Sequence, residues 1–179
     1  MGPVTRRPAA LKPAGFTLVE LVVVVCVVAL LIGVALDRLL RYQELGERAA
    51  MEQNLAAINV ALTMKFAALV VAGRGGAIDK EVGANPVELL ARPPENYLGA
   101  LYAPEPESLP RRSWYYDRES GDLVYVPGRA RYLTAPPDAL DGLRFRVALT
   151  EASPRKDEGL RELRQAVIRP RRAYTWNID

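Results

Sequence analysis

The sequence predicts an α+β fold: one long N-terminal α-helix, membrane-spanning in its first half, packed by its second half on a small antiparallel β-sheet. Three observations carry this expectation. Residues 16–36 are apolar apart from Glu20. Residues 37–72 contain no proline and repeat apolar side chains in three- and four-residue steps. The last third alternates apolar and polar residues in short runs between turn residues. A period of 3.6 specifies a helix face and a period of 2 a strand face.

A helix over residues 16–36 is about 30 Å long, the thickness of a bilayer's hydrocarbon core. Buried helices of soluble proteins rarely carry so unbroken a run of Val and Leu. Glu20 lies one turn into that run. A carboxylate there costs at least about 2.5 kcal/mol by insertion scales, so it calls for a partner and a function. The segment contains no cation, and the nearest basic residue is Lys12. A cut after Gly15 would create an ammonium on Phe16, able to pair with the Glu20 of a neighbouring copy. The other reading is an acid tolerated near the headgroups and snorkelling outwards.

Gly15-Phe16-Thr17-Leu18-Val19-Glu20, after a basic leader and before a long apolar run, resembles the N-terminus of type IV pilins and type II secretion pseudopilins. The resemblance covers about residues 6–40. It implies that a membrane prepilin peptidase cuts between Gly15 and Phe16 and methylates the new amine of Phe16. It further implies that Glu20 aligns an incoming subunit on the Phe16 amine of one already in the fibre. The expected partners are that peptidase and N-methyltransferase, other subunits in a homo- or hetero-polymer, an inner-membrane assembly platform and the lipid bilayer. Many major pilins carry a proline near the end of the span, where this chain has residues 34–38, so the likeness points to a minor pilin or pseudopilin. It places the chain first in the inner membrane, N-terminus cytoplasmic and globular domain periplasmic, and then in a pilus or pseudopilus.

Charge agrees with that topology. Removing residues 1–15 takes Arg6, Arg7 and Lys12 and no acid, leaving 21 basic against 21 acidic residues. Basic residues stay on the cytoplasmic side of a span. The mature chain is formally neutral, so net charge gives no case for nucleic acid as a partner. Cys26 is the only cysteine, which excludes an intrachain disulfide and makes it an apolar filler. Histidine is absent, which removes the usual base of triad catalysis and a common zinc ligand. No catalytic residue, metal or cofactor is expected, and the chain does not read as an enzyme.

The expected organisation is a leader over 1–15, a membrane or fibre-core segment over 16–36, an amphipathic continuation over 37–72 and a globular α+β head over 73–179. Leu55, Ile58, Leu62, Phe66, Leu69 and Val70 define the packed face of the continuation, while Glu47, Arg48, Glu52, Gln53, Asn59 and Lys65 mark its other positions. The whole helix, 16–72, would be about 85 Å long. Gly73-Arg-Gly-Gly76 ends it. Asn85 caps a short helix begun by Pro86, residues 93–99 turn the chain, and 103–110 form a Pro-rich loop. The Asn-Pro, Leu-Leu, Pro-Pro and Asn-Tyr-Leu-Gly series over 85–99 is similar to a segment of pseudopilin-like proteins.

Residues 113–117 and 123–127 read as a hairpin turning at Ser120-Gly121-Asp122. Over 143–149, Leu143, Phe145, Val147 and Leu149 should face the long helix, and Arg144 and Arg146 solvent. A charged loop over 153–159 follows, then strands over 163–168 and 173–178, the last at an edge. Asp117, Glu119 and Asp122 lack the spacing of an EF-hand and read as a solvated turn. Arg111-Arg112 and Arg169-Pro-Arg-Arg172 lie near Trp114, Tyr115, Tyr174 and Trp176 in sequence, a pattern open to single-stranded DNA but better explained as edge-strand charges. Asp138, Asp141, Asp157 and Glu158 give no acid–base pair. The alternative to a fibre subunit is an unprocessed, single-pass anchored domain that binds a partner, in which Glu20 is incidental.

Overall fold

The computed structural model describes residues 15–137, 141–151 and 164–178. The expected leader with its cut-side cations, the 153–159 loop, Asp138, Asp157, Glu158 and Leu163 lie outside the described residues, apart from Gly15. The layout is α+β. The chain divides into two units, Met1–Arg41 and Tyr42–Asp179. The second unit therefore starts inside the helix, not at the residue after it.

Helix α1 runs Leu18–Val71, within two residues of the expected bounds. Its C-terminus closes with Gly73 at φ +69°. Gly73 N–H donates to Val70 O at 2.9 Å and Arg74 N–H to Leu69 O at 2.8 Å. This pair of bonds is a Schellman cap, which requires the left-handed conformation that glycine adopts without penalty. Within the first unit, α1 contains a window long and apolar enough to cross a membrane, with none of it buried.

In the second unit α1 buries Glu44, Glu47, Met51, Ile58, Leu62 and Leu69. Leu55 and Phe66 fill the intervening turns, half-buried. The steps of three and four are those of a single helix face. Val70, expected on this face, is exposed. Each fully buried aliphatic side chain stabilises by roughly 1.5–3 kcal/mol.

The cover for this face is a five-stranded sheet of β1 (Tyr97–Leu101), β2 (Ser113–Asp117), β3 (Asp122–Val126), β5 (Leu143–Glu151) and β6 (Arg164–Pro170), in the order β1-β2-β3-β5-β6. β4 (Leu133–Thr134) pairs with β7 (Thr175–Trp176) in a second, two-stranded sheet. The main sheet is mixed, not antiparallel as expected, because β1 runs parallel to β2. Residues 97–99, expected in a turn, belong to β1. Their register shifts between Tyr97 and Ala100. The 173–178 strand is an edge of nothing in the main sheet; it pairs with β4, and Trp176 and Ile178 are buried.

The hairpin forms as expected, with Gly121 N–H donating to Asp117 O at 2.9 Å. Leu143, Phe145 and Val147 join Trp114, Leu123, Tyr125 and the α1 residues in one core, with Leu149 half-buried against it. Trp114 stacks at 4.7 Å from Tyr125 and 5.9 Å from Phe145 between ring centroids. Asn85 Oδ1 accepts from Val87 N–H at 3.2 Å and caps a 3-10 helix, Pro86–Leu89. Residues Gly75–Glu81 and Pro106–Ser108 form two further 3-10 turns.

Candidate functional site

Gly15, Phe16 and Glu20 stand together at the N-terminal end of α1, all exposed, with Phe16 at 71 %. Glu20 is partnered by the neutral Thr17 beside it. Its N–H donates to Thr17 Oγ1, and the Thr17 N–H and hydroxyl both donate to Glu20 Oε2, each at 3.2 Å. Thr17 is the N-cap and Glu20 the third helical residue of a capping box. The Thr-x-x-Glu spacing is visible in the sequence. The carboxylate therefore starts its own helix with two neutral donors, and no basic side chain bonds to it among the described residues.

From Gly15 to Leu40 every residue is exposed, including Val22, Val24, Val28, Leu31 and Ile32. Between Leu21 and Leu36 that surface is apolar without a break. Cys26 lies within it, exposed.

In the second unit α1 is held by two buried carboxylates, one helical turn apart. Glu44 is 1 % and Glu47 7 % exposed. Glu44 Oε1 accepts from Trp176 Nε1 at 2.8 Å and Tyr132 N–H at 3.0 Å. Glu47 Oε1 accepts from Gly128 N–H at 2.6 Å and the Tyr125 hydroxyl at 3.0 Å, and its Oε2 accepts from Arg112 Nε at 3.0 Å. The expectation that Glu47 lies on the polar face is thus overturned: five donors from β3, β7 and two loops compensate the two carboxylates for lost water. Burial, and then the Glu47 charge, push the Tyr125 hydroxyl above the usual tyrosine range. Arg112 takes the left-handed conformation at φ +61°. Its carbonyl accepts from Asn96 Nδ2 and its N–H donates to Val126 O at 2.8 Å. These bonds offset a backbone cost of about 1–2 kcal/mol. Asn59, another expected polar-face residue, accepts from Ile168 N–H at 2.9 Å and ties α1 to β6.

Of the three hairpin-turn acids Glu119 is exposed, as expected, but Asp117 and Asp122 are buried. Asp122 is fully buried, with Arg146 Nε at 2.7 Å on one oxygen and Arg171 Nη1 at 2.6 Å on the other. Asp117 Oδ2 accepts from Arg144 Nη1 at 3.0 Å and the Ser120 hydroxyl at 2.7 Å. Burial alone would raise the Asp117 carboxyl; the Ser120 hydroxyl, Arg144 and the Glu119 and Ser120 N–H groups outweigh it and hold it below 3.8. Arg144 and Arg146, expected to face free solvent, are committed to these carboxylates. Arg112 and Arg171 are likewise in ion pairs. Trp114, Tyr115 and Trp176 are buried and Tyr174 is half-buried, so none of the four aromatics stands fully open beside the basic pairs.

No protein-family model, no curated protein and no solved structure matches this chain.

Proposed function

We propose that this chain is a structural subunit, a minor pilin or pseudopilin, that assembles through α1 into a type IV pilus or a type II secretion pseudopilus. A prepilin peptidase cuts between Gly15 and Phe16 and methylates the Phe16 amine. The apolar stretch holds the processed subunit in the inner membrane, N-terminus on the cytoplasmic side and head in the periplasm. In the fibre the same stretch packs on other subunits, and Glu20 pairs with the Phe16 amine of a neighbour. A buried charge pair of this kind sets register more reliably than it adds stability. The subunit acts by assembly and not by catalysis.

One observation supports this reading above others. A single helix offers 23 consecutive exposed residues, 18–40, and then, from Glu44, becomes part of a folded head. Such a helix serves a bilayer and a helical stack equally well, because both bury apolar surface.

The capping box favours a second reading. Thr17 gives Glu20 a role in starting the helix that needs no neighbour, as an unprocessed, single-pass anchored domain would require. Glu20→Gln separates the two, because glutamine keeps the acceptor for Thr17 and loses the charge. The fibre reading expects Glu20→Gln subunits to be cut normally and to fail to enter fibres. Cutting and assembly that proceed as in the unaltered chain would overturn the charge-pair mechanism.

A further inference from the structure

Beside the buried Glu47 the head carries a groove of about 790 Å³, lined entirely from within the second unit. Small-ligand sites span ~300–1,000 Å³, but they are lined mainly by apolar side chains. Here Ala50 and Pro94 are the apolar members of the lining. Gln53 and Asn54 line it from α1, on the same helix face as Ala50. Glu95 and Arg111 line it from the loops that precede β1 and β2. Gln53, Glu95 and Arg111 are exposed and Asn54 is half-buried. None of these side chains has a hydrogen-bond or ionic partner among the described residues.

The walls are held in place. Asn96 Nδ2 donates to Arg112 O, and Trp114 N–H donates to Asn96 O at 3.0 Å, which ties the two loops together. The Ser113 hydroxyl donates to Pro110 O at 2.6 Å. Arg112 Nε, 3.0 Å from Glu47 Oε2, fastens the second loop to α1. Arg112 keeps its left-handed backbone at φ +61° beside the groove. Strain of that kind persists only where surrounding structure fixes it, and it gathers at ligand clamps. Polar groups already in place bind without the cost of ordering them.

The chemistry of the lining selects the ligand. Carboxamides, a carboxylate and a guanidinium together offer both donors and acceptors. Their charges offset: Arg112 is committed to Glu47, and Glu95 balances Arg111. A polyanion would meet an unpaired carboxylate there. Stacked bases need aromatic rings, and no ring lines the groove among the described residues. A peptide needs a strand edge or pockets for apolar side chains, and the lining residues include neither β1 nor a large apolar side chain. Sugar hydroxyls both donate and accept, as this lining requires. We propose that the groove binds an uncharged oligosaccharide, its hydroxyls bonded to Gln53, Asn54, Glu95 and Arg111 and its C–H faces set on Ala50 and Pro94. The site belongs to the head alone and serves a fibre subunit or an anchored domain equally, so its failure is separate from a failure of processing.

The test uses the full-length chain in phosphatidylcholine nanodiscs, which carry no sugar. Maltotriose, cellotriose, chitotriose and mannotriose are the probes, read by saturation-transfer difference NMR at their C–H protons. At least one is expected to bind, with the same affinity at about 0.1 M and about 1 M salt, although the screening length falls from about 10 Å to about 3 Å. Asn54→Ala should weaken binding roughly fivefold, the worth of about one hydrogen bond. Gln53→Ala, at an exposed position where substitutions are tolerated, should give a similar loss. Ala50→Trp fills the groove from an exposed helix position and should abolish binding. Thermal unfolding of the head, unchanged in these variants, separates loss of the site from loss of the fold. Binding by none of the probes overturns the proposal, as does binding that survives Ala50→Trp. So does a preference for trigalacturonate that salt removes, which assigns the arginines to an anion.

Discussion

Residues 18–40 and residues 42–71 belong to one continuous helix, yet every side chain in the first stretch is exposed and six in the second are buried. Their compositions invert the usual rule. The more apolar stretch is the uncovered one, and the more charged stretch carries the core of the head. Burial follows the partner that is present, not hydropathy. Residues 42–71 have a sheet with complementary spacing and donors for two carboxylates, whereas residues 21–36 offer apolar surface all round and meet no cover among the described residues.

The widest separation between the two stretches should come from a pair of truncations. Leu62→Ala, at a fully buried site, is expected to destabilise the head by about 2–5 kcal/mol. Val28→Ala, in the exposed run, should leave head unfolding unchanged. Near-ultraviolet circular dichroism of the buried tryptophans during thermal unfolding reads both. Equal losses would mean that residues 18–40 contribute to the head's core.

Next in size is the carboxylate latch. Glu47→Ala leaves the Tyr125 hydroxyl, Gly128 N–H and Arg112 without their acceptor and should cost about 3 kcal/mol. Gly128→Ala attacks the same point from the other side, since a Cβ there would lie 2.5 Å from Arg112 Cγ and 2.8 Å from Glu47 Oε2. It should lower the unfolding temperature with Glu47 intact.

Titration gives a smaller effect. The Tyr125 hydroxyl titrates above its ordinary 10.0 in the folded head. The unfolded chain therefore loses that proton first, and the contribution is full below pH 10 and disappears as pH rises through the folded value. Asp117 has the opposite sign: held below 3.8, it contributes above that pH and loses its contribution as pH falls through the folded value. Denaturant unfolding across pH should show both flanks. Tyr125→Phe should flatten the alkaline one.

The smallest changes concern single polar atoms. Tyr115 Oη is buried with no hydrogen-bond partner among the described residues, so Tyr115→Phe should leave the head as stable or up to about 1 kcal/mol more stable. Thr17→Ala should weaken the start of α1 by about 1 kcal/mol, seen as faster amide exchange at the first helical turn, with no change in head unfolding.

The helix was legible because its signals are local. Ile58, Leu62 and Leu69 fall on one 3.6-period face, and Gly73 stands where a cap needs it. Glu44 and Glu47 lie on that same face, but a carboxylate is buried only when donors meet it. Their donors come from residues 112–176, which no local pattern links to the helix. For the same reason Arg144 and Arg146 read as solvated: their acceptors lie on β2, β3 and the turn between them, far off in the sequence. β1 was hidden by Gly99 and by its parallel pairing, which has no turn signature. β4 and β7 are too short to show a period. At the N-terminus the motif residues stood out by type and spacing, and the Thr17–Glu20 cap was encoded beside them.

The measurement that tests the assembly account most directly is the mass of the N-terminal peptide from membrane-extracted protein, made with and without the prepilin peptidase. A chain beginning at methylated Phe16 only when the peptidase is present is the expected result. A chain retaining residues 1–15 in both preparations would contradict the account and leave the anchored domain in its place.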